Sequence, residues 1–369
     1  MLGLGSSLHK AGKVGKSIIR DGLVLRHDYN AGAVEPCSTG AAFFDGTDDY
    51  IAINAKPVDT ADATYCFWVN SSETGENRSI FGHGSGSTGA FATNHSTTDQ
   101  PLLYLKNDLY QYWVDTGFAD DGKWHHWALI VDIDDMAACK LYVDGVEIDQ
   151  GGRTTGGPAT SYGNLEIGRS AGNVDNCFNG YLCNFGVWSS HLTQPQIKSI
   201  MHKDYASLSA SEKEDLVSWW NLDSVIDSVG ASTAVYDNHY AGGSKLGTEL
   251  VTDGSFANGL DSWSSANVTL SGSSVILYDD DADYVFQNIS YTDGEVYAFT
   301  FEGTGNVQNR IGYSGTAATK IPVTLPATIY RLADSNANRV QLYGAADDSS
   351  ATVTSMSVKL VNGNTGTLA

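Results

Sequence analysis

The sequence has few prolines, cysteines and positive charges. Its 369 residues include 7 Pro, 5 Cys and 21 Lys+Arg against 43 Asp+Glu, which gives a formal net charge of -22. Such a charge repels nucleic acid and anionic membranes and argues against both as partners. The odd cysteine count, without zinc-like spacing, excludes a fully paired disulfide framework and a cysteine zinc site. We expect mostly buried, free thiols in a chain made in a reducing compartment: Cys37, Cys66, Cys139, Cys177 and Cys183.

Long hydrophobic runs are also lacking. The opening MLGLG contains no apolar core of signal-peptide length, and no later segment reaches the length of a membrane span. We therefore expect neither ordinary secretion nor membrane insertion.

Glycine and tyrosine are abundant, with 40 Gly and 19 Tyr. Short runs of β-forming residues alternate with turn signals, which is typical of antiparallel sandwiches. In the first half the predicted strands cover 22–29, 41–53, 63–70, 79–84, 101–106, 109–115, 124–132, 139–149, 165–168 and 180–188. Two helix-like segments follow, one at Gln194 with Pro195 in its first turn and one opened by a capping box at Ser209–Glu212.

These patterns predict an all-β chain with two antiparallel β-sandwich (jelly-roll) domains and one or two short helices between them. The first sandwich is expected over 21–226, a small and polar linker over 227–248, and the second sandwich over 249–369. A basic, glycine-rich arm, 1–20, carries no acidic residue. We expect this arm to anchor the chain in an assembly through Lys10, Lys13, Lys16 and Arg20.

Two adjacent histidines lie between tryptophans in the segment DGKWHHWALIVD, residues 121–132. Neighbouring residues of a strand point to opposite faces, so His126 should share one side with Ala128 while His125 shares the other with Trp127. The two rings then cannot chelate one ion together. We interpret the segment as a strand buried on both faces, with one histidine held by hydrogen bonds.

Two further motifs are considered for catalysis. The segment AGKVGKS, 11–17, resembles the end of a phosphate-binding loop but lacks the required first glycine and a preceding strand. Glu147 and Asp149 are two apart on a predicted strand, as paired glycosidase carboxylates can be. The tight turn Asp144-Gly145 explains that segment without catalysis, so we expect no enzymatic activity.

Acidic turns offer oxygen ligands that suit calcium. The segment 279–283 lacks the glycine and glutamate that an EF-hand loop requires, and a solvated acidic loop is the simpler interpretation. No cofactor is required by the sequence, and calcium stays an alternative. The other candidate ligands are Asp45, Asp48, Asp49, Asp132, Asp134 and Asp135.

Several of these segments together resemble a laminin-G-like, concanavalin-type jelly roll. In order they read DGTDDYIAI, TYCFWVN, DGKWHHWALIVD, KLYVDGVEI, LEIGRS and FNGYLCNFGVWSSHLTQPQIKSI, over about residues 20–205. The resemblance implies a fold rather than one activity, because the family includes glycan binders, protein binders and structural members.

The segment ELVTDGSFANGLDSW, 249–263, resembles the opening of carbohydrate-binding jelly rolls of the cellulose- and xylan-binding type, over roughly 249–361. Ser355 stands where that family commonly has an Asp, which weakens its structural calcium site here. A shallow glycan cleft would use Gln341 and Tyr343 of one strand with Arg310 and Tyr313 of another, if that face is open. The alternative is that Tyr313 and Tyr343 pack within the sandwich, and Trp263 is expected in the core.

Such modules behind a short, uncleaved start also resemble bacteriophage fibre, decoration or adhesin proteins. The resemblance implies a non-catalytic virion protein, made in the host cytoplasm and displayed on the particle, that binds glycans and is a homo-oligomer. Its arm would contact other virion subunits. A decoration protein without glycan binding and a glycoside hydrolase are the alternatives.

Overall fold

The computed structural model describes the chain from residue 36 to residue 368 with internal gaps. The described residues are 36–38, 40–53, 55–58, 62–72, 78–83, 90–92, 100–105, 109–114, 117–132, 135–153, 163–170, 176–223, 226–227, 233–235, 237–240, 245–278, 282–312, 320–333, 335, 337–345, 350–364 and 366–368. The basic arm, the phosphate-loop-like segment and the strand predicted over 22–29 lie outside them.

The described structure is all-β, as predicted, and its named strands pair in antiparallel fashion. The first group of elements is β1 (Ala42–Asp45), β2 (Ile51–Ile53), β3 (Ala63–Asn70), β4 (Ser79–His83), β5 (Ala90–Ala92), β6 (Leu102–Leu105), β7 (Leu109–Trp113), β8 (His125–Val131), β9 (Lys140–Val143), β10 (Val146–Glu147), β11 (Gln150–Arg153), β12 (Leu165–Ile167), β13 (Asn179–Trp188), helix α1 (Gln194–Ile200), a 3-10 helix (Tyr205–Ser207) and β14 (Leu216–Trp220).

The remaining strands are β15 (Ile226–Asp227), β16 (Thr233–Val235), β17 (Leu246–Glu249), β18 (Ser264–Ala266), β19 (Thr269–Ser271), β20 (Ser274–Leu277), β21 (Tyr284–Asn288), β22 (Val296–Gly312), β23 (Ile321–Leu332), β24 (Ala337–Gly344), β25 (Ala351–Val361) and β26 (Gly366–Leu368). Among the described residues, no helix is long and apolar enough to cross a membrane.

Two sheets form the first sandwich. Sheet A has the order β1-β13-β3-β8-β9-β10, with β14 also paired to β13, and sheet B has the order β11-β7-β6-β5-β4-β12-β2-β26-β16-β15. Their shared core contains Phe67, Trp127 and Phe185, all fully buried. Helix α1 covers part of the outer face of sheet A by burying Ile197 and Ile200 in a second apolar cluster.

Both faces of strand β8 are apolar because each face packs in a different apolar cluster. Trp127 and Leu129 point into the core between the sheets, whereas Ala128 and Ile130 lie in the cluster that α1 covers. The alternation predicted for the histidine strand is thus confirmed.

The second predicted helix is wrong. The capping box does form, because Ser209 N donates to Glu212 Oε2 at 2.8 Å and Glu212 N donates to Ser209 Oγ at 3.3 Å. Only a turn follows, however, and β14 begins at Leu216. Asp215 has a φ of 57°, in the left-handed region, which ends a helical path before it can extend.

The last described strand lies in the first sandwich. In β26, Gly366 is opposite Ile53 of β2 and also opposite Val235 of β16. Strand β16 and the second residue of β15 come from the segment predicted as a linker. The C-terminal residues, predicted as part of the second sandwich, therefore complete sheet B.

A buried carboxylate ties this junction together. Asp237 Oδ1 accepts hydrogen bonds from the backbone N–H groups of Trp219 and His239, both at 3.0 Å, and Oδ2 accepts from Asn364 N at 3.4 Å. The carbonyl of Asn364 accepts from Trp220 Nε1 at 2.7 Å. Three segments distant in sequence thus meet at one side chain.

The second sandwich is built around a long, bent strand. Its sheet has the order β18-β21-β24-β22-β25-β20-β19, with β17 on β25 and β23 on β22. The first part of β22 pairs with β25 and the last part with β24, and the change coincides with register shifts next to Gly303 and Gly305. A Cβ at Gly303 would lie 2.0 Å from the Thr352 carbonyl oxygen, so this crossing requires glycine.

Candidate functional site

One face of the second sandwich carries aromatic and polar side chains instead of core residues. Val285, Val340 and Leu342 of β21 and β24 are buried in the apolar core. Because side chains alternate along a strand, their neighbours Phe286, Gln341 and Tyr343 point to the opposite face.

Strand register brings the residues of this face together. Gln341 is opposite Arg310 of β22 on one side and Phe286 of β21 on the other. Tyr343 is opposite Tyr284, and their ring centroids are 6.0 Å apart. Three of the four sequence-predicted site residues, Arg310, Gln341 and Tyr343, are therefore neighbours, while Tyr313 lies outside the described residues. We call the set Tyr284, Phe286, Arg310, Arg339, Gln341 and Tyr343 the aromatic–polar face.

Two members of this face are more buried than the residues of an open cleft would be. Gln341 is 4% exposed and Tyr343 is 7% exposed. Tyr343 is not part of the apolar core cluster. The Lys320 ammonium lies 4.0 Å from the centre of its ring, and Arg310 Nη1 donates to its hydroxyl at 3.2 Å. Tyr343 is thus held among cations on the outer side of the sheet.

Phe286 and Tyr284 provide the more accessible rings, both half-buried. The Arg339 guanidinium carbon lies 4.2 Å from the centre of the Phe286 ring. Both aromatic residues fall in the predicted second sandwich, but neither was singled out, because periodicity does not say which side of a strand faces the core. Aromatic faces stacked beside guanidinium groups can hold a flat apolar surface while donating hydrogen bonds around it.

A buried polar pair supports the face from below. Asn309 and Arg331 are both fully buried. Arg331 Nη1 donates to Asn309 Oδ1 at 3.1 Å, and Asn309 Nδ2 donates to the Gln341 carbonyl at 3.2 Å. These bonds fix the backbone of β24 at the residue that lies opposite Arg310.

Trp263 is a core residue, as predicted. Its ring is 8% exposed and lies 5.1 Å from that of Phe256, and its Nε1 donates to the Asp253 carbonyl at 3.1 Å. The segment that resembles the N-terminal part of carbohydrate-binding modules therefore contributes this side chain to the core.

The two histidines of β8 have different surroundings. His125 Nδ1 donates to Asp144 Oδ2 at 2.7 Å, and this bond raises the pKa of His125. His126 lies on the opposite side with its ring 5.5 Å from Trp68, and burial lowers its pKa to about 3. The prediction that one histidine is held by hydrogen bonds while the rings diverge is confirmed.

Glu147 is engaged at the surface. Lys140 Nζ lies 3.0 Å from Glu147 Oε1, and the Tyr142 hydroxyl donates to Oε2 at 2.9 Å. The hydrogen bond from Lys140 is the main cause of a lowered pKa at Glu147. A glycosidase acid needs the opposite shift.

Among the described residues of the first sandwich, acidic groups meet at two places. Carboxylate oxygens of Asp45, Asp48 and Asp49 lie within 4.8 Å of one another, as do ligand atoms of Asp62, Asp132 and His191. In the first group Asp45 Oδ1 accepts from Thr47 N at 2.8 Å and Asp49 Oδ2 accepts from Asp45 N at 3.0 Å. These bonds explain the first group as a turn. Asp134 and residues 279–281 lie outside the described residues.

All five cysteines are free. Cys37 is exposed, whereas Cys66, Cys139, Cys177 and Cys183 are buried. Burial raises the pKa of the Cys139 and Cys183 thiols to about 12, which keeps them as unreactive thiols. The expectation of mostly buried, free thiols is confirmed.

Most of the first sandwich matches a known protein family. Residues 45–198 match the Laminin_G_3 family model, described as concanavalin A-like lectin/glucanases superfamily. No curated protein matches the sequence.

Three solved structures illustrate the similarity. A candidate carbohydrate binding protein from Bacteroides ovatus is 20% identical with a TM-score of 0.40, and the match covers 54% of this chain but only 55% of that one. The second N-terminal cellulose-binding domain of Cellulomonas fimi β-1,4-glucanase C is 19% identical with a TM-score of 0.26, covering 31% and 95%. An enzymatically active domain of a bacteriophage CBA120 tailspike protein is 17% identical with a TM-score of 0.20, covering 32% and 21%.

These structural similarities are too weak to carry a functional argument, and the family model covers less than half of the chain. The ordered strands, the two-sheet core and the family match agree with the resemblance noted in the sequence. Residues 45–198 match a concanavalin A-like jelly-roll domain of the laminin-G type within an all-β chain.

Proposed function

We propose that this protein is a non-catalytic carbohydrate-binding component of a bacteriophage particle, and that the aromatic–polar face of the second sandwich contacts the glycan. The observation that carries the proposal is the grouping of Tyr284, Phe286 and Tyr343 with Arg310 and Gln341 on the side of the sheet away from the core.

This combination suits a sugar ring. The axial C–H groups of a pyranose form an apolar surface that stacks on an aromatic ring, and the equatorial hydroxyls accept hydrogen bonds from guanidinium and amide groups at the edges. Phe286 supplies a half-buried ring, while Arg310 and Arg339 supply donors from the neighbouring strands. The Asn309–Arg331 pair below supports the geometry, and such preorganisation reduces the entropy lost on binding.

The absence of catalysis is part of the proposal. The carboxylate considered for acid–base work, Glu147, accepts hydrogen bonds from Lys140 and Tyr142, and the bond from Lys140 is the main cause that lowers its pKa. In assays for sugar release across pH 4–8, Glu147→Gln should match the parent, both showing no product above a buffer control. If the parent releases sugar and Glu147→Gln does not, the glycoside hydrolase alternative is favoured.

The virion role rests on the order of modules and on the basic arm in an acidic chain. We expect the protein on the particle surface, attached through Lys10, Lys13, Lys16 and Arg20 to other virion subunits and assembled as a homo-oligomer. Mass spectrometry of purified particles, with and without charge reversal of these four residues, tests the attachment. Undiminished incorporation of the reversed arm would contradict it.

A glycan array with the intact chain tests the binding. Retention of neutral glycans should fall in Arg310→Ala and be kept in Tyr278→Ala, since Tyr278 is exposed and follows β20, which pairs with β25 and β19 and not with the strands of the aromatic–polar face. A protein incorporated into particles but without affinity for any glycan would favour the purely structural decoration alternative.

A further inference from the structure

The first sandwich exposes a cluster of aromatic rings that the proposed function does not use. Phe43 is 54% exposed and Tyr181 is 44% exposed, and they are two of the six large hydrophobic side chains that are exposed in the described residues. They are opposite each other on β1 and β13, and their ring centroids are 4.9 Å apart. Isolated exposed apolar residues are ordinary, but a contiguous cluster marks a contact surface.

A third ring extends this cluster. Trp124, which directly precedes β8, is half-buried and has its ring 6.3 Å from Tyr181. Between them runs β3, where Asn70 is opposite Tyr181. We call Phe43, Asn70, Trp124 and Tyr181 the Phe43–Tyr181 patch.

The patch lies on the outer face of sheet A. Phe44, Val69 and Leu182, the chain neighbours of its members, are buried in the core between the sheets. The other end of this outer face is covered by α1, which packs over Cys66, Ala128 and Trp188. Nothing among the described residues covers the patch itself.

Local hydrogen bonds hold the patch in place before any ligand arrives. Asn70 Nδ2 donates to the Gly122 carbonyl at 3.1 Å, and Gly122 N donates to the Ser71 carbonyl at 2.8 Å. These two bonds fasten the turn before Trp124 to the end of β3. That bond uses the amide nitrogen of Asn70, so the side-chain oxygen can still accept a hydrogen bond from a ligand hydroxyl.

The size of the patch suits a small ligand rather than a folded partner. The three aromatic side chains have roughly 150–250 Å² each; Phe43 and Tyr181 are about half exposed and Trp124 is less exposed, so together they offer at most about 300 Å². A stable protein interface takes roughly 800 Å² from each partner. The ring centroids are 4.9 Å apart for Phe43 and Tyr181 and 6.3 Å apart for Tyr181 and Trp124, so the two outer centroids are at most about 11 Å apart, which suits more than one linked sugar ring.

The negative charge near the patch further restricts the class of ligand that it can bind. Asp45 is exposed two residues after Phe43, and its carboxylate lies within 4.8 Å of those of Asp48 and Asp49. The chain as a whole carries a net charge of -22. An anionic polysaccharide would be repelled from this edge, whereas a neutral one would not.

We infer that the Phe43–Tyr181 patch is a second saccharide-binding surface, separate from the aromatic–polar face, and that it binds a neutral oligosaccharide or polysaccharide chain by stacking on Phe43, Tyr181 and Trp124. Asn70 accepts a hydrogen bond from a ring hydroxyl between the stacked sugars. The two surfaces give one chain two independent contacts with a polymeric glycan, which raises its apparent affinity through multivalency.

The test uses the full chain in native gels cast with neutral soluble polysaccharides: arabinoxylan, hydroxyethylcellulose, mixed-linkage β-glucan, galactomannan and dextran. The patch variant is Phe43→Ala with Tyr181→Ala. Its matched control is Leu270→Ala with Tyr278→Ala, because those side chains are 44% and 41% exposed on the second sandwich. Each pair is made in the parent and in an Arg310→Ala background, so that loss at one surface is separated from loss at the other.

We expect the patch variant to raise the dissociation constant for at least one neutral polysaccharide roughly tenfold in both backgrounds, while the control pair leaves it unchanged. Neutral hexasaccharides should quench tryptophan fluorescence in the parent and not in Trp124→Phe. The inference is overturned if the Arg310→Ala protein binds no neutral polysaccharide, or if its binding survives the patch variant. It is also overturned if the patch variant lowers the sedimentation mass, because the patch would then join copies of the chain.

Discussion

Arg310 and Tyr343 lie on neighbouring strands and are joined by a hydrogen bond of 3.2 Å from Nη1 to the phenol oxygen. The bond holds a guanidinium beside an aromatic ring on the side of the sheet that does not face the core. The ordering of a long arginine side chain is thus completed during folding, so less entropy is lost when the group binds a ligand.

Removal of this hydrogen bond should weaken glycan binding with little change in stability. Tyr343→Phe keeps the ring but removes the hydroxyl that accepts the bond. Arg310→Ala removes the guanidinium group that donates it. We expect losses of affinity of a few-fold and roughly tenfold, with changes in unfolding free energy of about 1 kcal/mol. Titration calorimetry with the best glycan from an array measures the first and urea unfolding the second.

The matched control is Tyr278→Phe, whose hydroxyl makes a similar surface contact with Thr269 Oγ1 at 2.8 Å. Parent-like affinity in all three variants would remove the aromatic–polar face from the binding surface.

The buried Asp237 should make stability depend on pH. Burial raises its pKa from 3.8 to about 7, so the folded state retains a proton that the unfolded chain has lost. Its contribution is present below pH 3.8 and is lost as the pH rises to about 7, at about 1.4 kcal/mol per pH unit. Compared with Asp237→Asn, the parent should therefore lose about 2 kcal/mol between pH 5 and pH 7.

Urea unfolding of both proteins at pH 5, 6, 7 and 8 measures the difference, and Asp261→Asn serves as an exposed control. Stability curves of the parent and Asp237→Asn that run parallel over this range would show that Asp237 stays ionised in the fold.

His126 should have the opposite effect. Burial lowers its pKa from 6.5 to about 3, so the unfolded chain binds a proton that the folded state excludes. Its contribution is full above pH 6.5 and is lost as the pH falls toward 3, by about 1.4 kcal/mol per pH unit. His126→Leu removes this dependence, and Nδ1 has no hydrogen-bond partner among the described residues to be lost.

The measurement is the slope of unfolding free energy between pH 6 and pH 4, in the parent and in His126→Leu. Equal slopes would mean that His126 becomes protonated without unfolding.

The C-terminal strand should stabilise the first sandwich. Deletion of the chain from Asn362 onward leaves the buried Trp220 indole without its acceptor and removes the partner that joins β2 to β16. An unsatisfied buried donor and a lost strand together should cost about 3 kcal/mol or more. Seven of the eight tryptophans precede residue 221, so tryptophan fluorescence during urea unfolding reports mainly on this sandwich.

Asn364→Ala is the control for the deletion, because it removes only the side-chain bond from Nδ2 to Ser218 Oγ at 2.6 Å. A loss of about 1 kcal/mol is expected there. If the deletion costs no more than this variant, β26 is dispensable.

Much of the fold could be predicted from local sequence. The strand over 63–70 was predicted with its observed bounds, and α1 begins at Gln194 as Pro195 indicated. The helix predicted from Ser209 was wrong because a capping box specifies only how a helix could start. The left-handed backbone at Asp215 and the strand that follows prevent a helix from continuing. Strands β15, β16 and β26 could not be predicted, because short polar segments become strands only when an existing sheet edge provides partners.

The candidate site divides in the same way. Alternation placed Gln341 and Tyr343 on one side of β24, and residue chemistry singled out Arg310. The sequence by itself determined that the chain is all-β, that β8 is buried on both faces and that the thiols are mostly buried, because these follow from side-chain period and composition. Only the tertiary structure decided which face of β24 is away from the core, that Tyr284 and Phe286 join it, and that Phe43 meets Tyr181 and Trp124. Each of these depends on the register between strands far apart in the chain, and local sequence carries no information about that register.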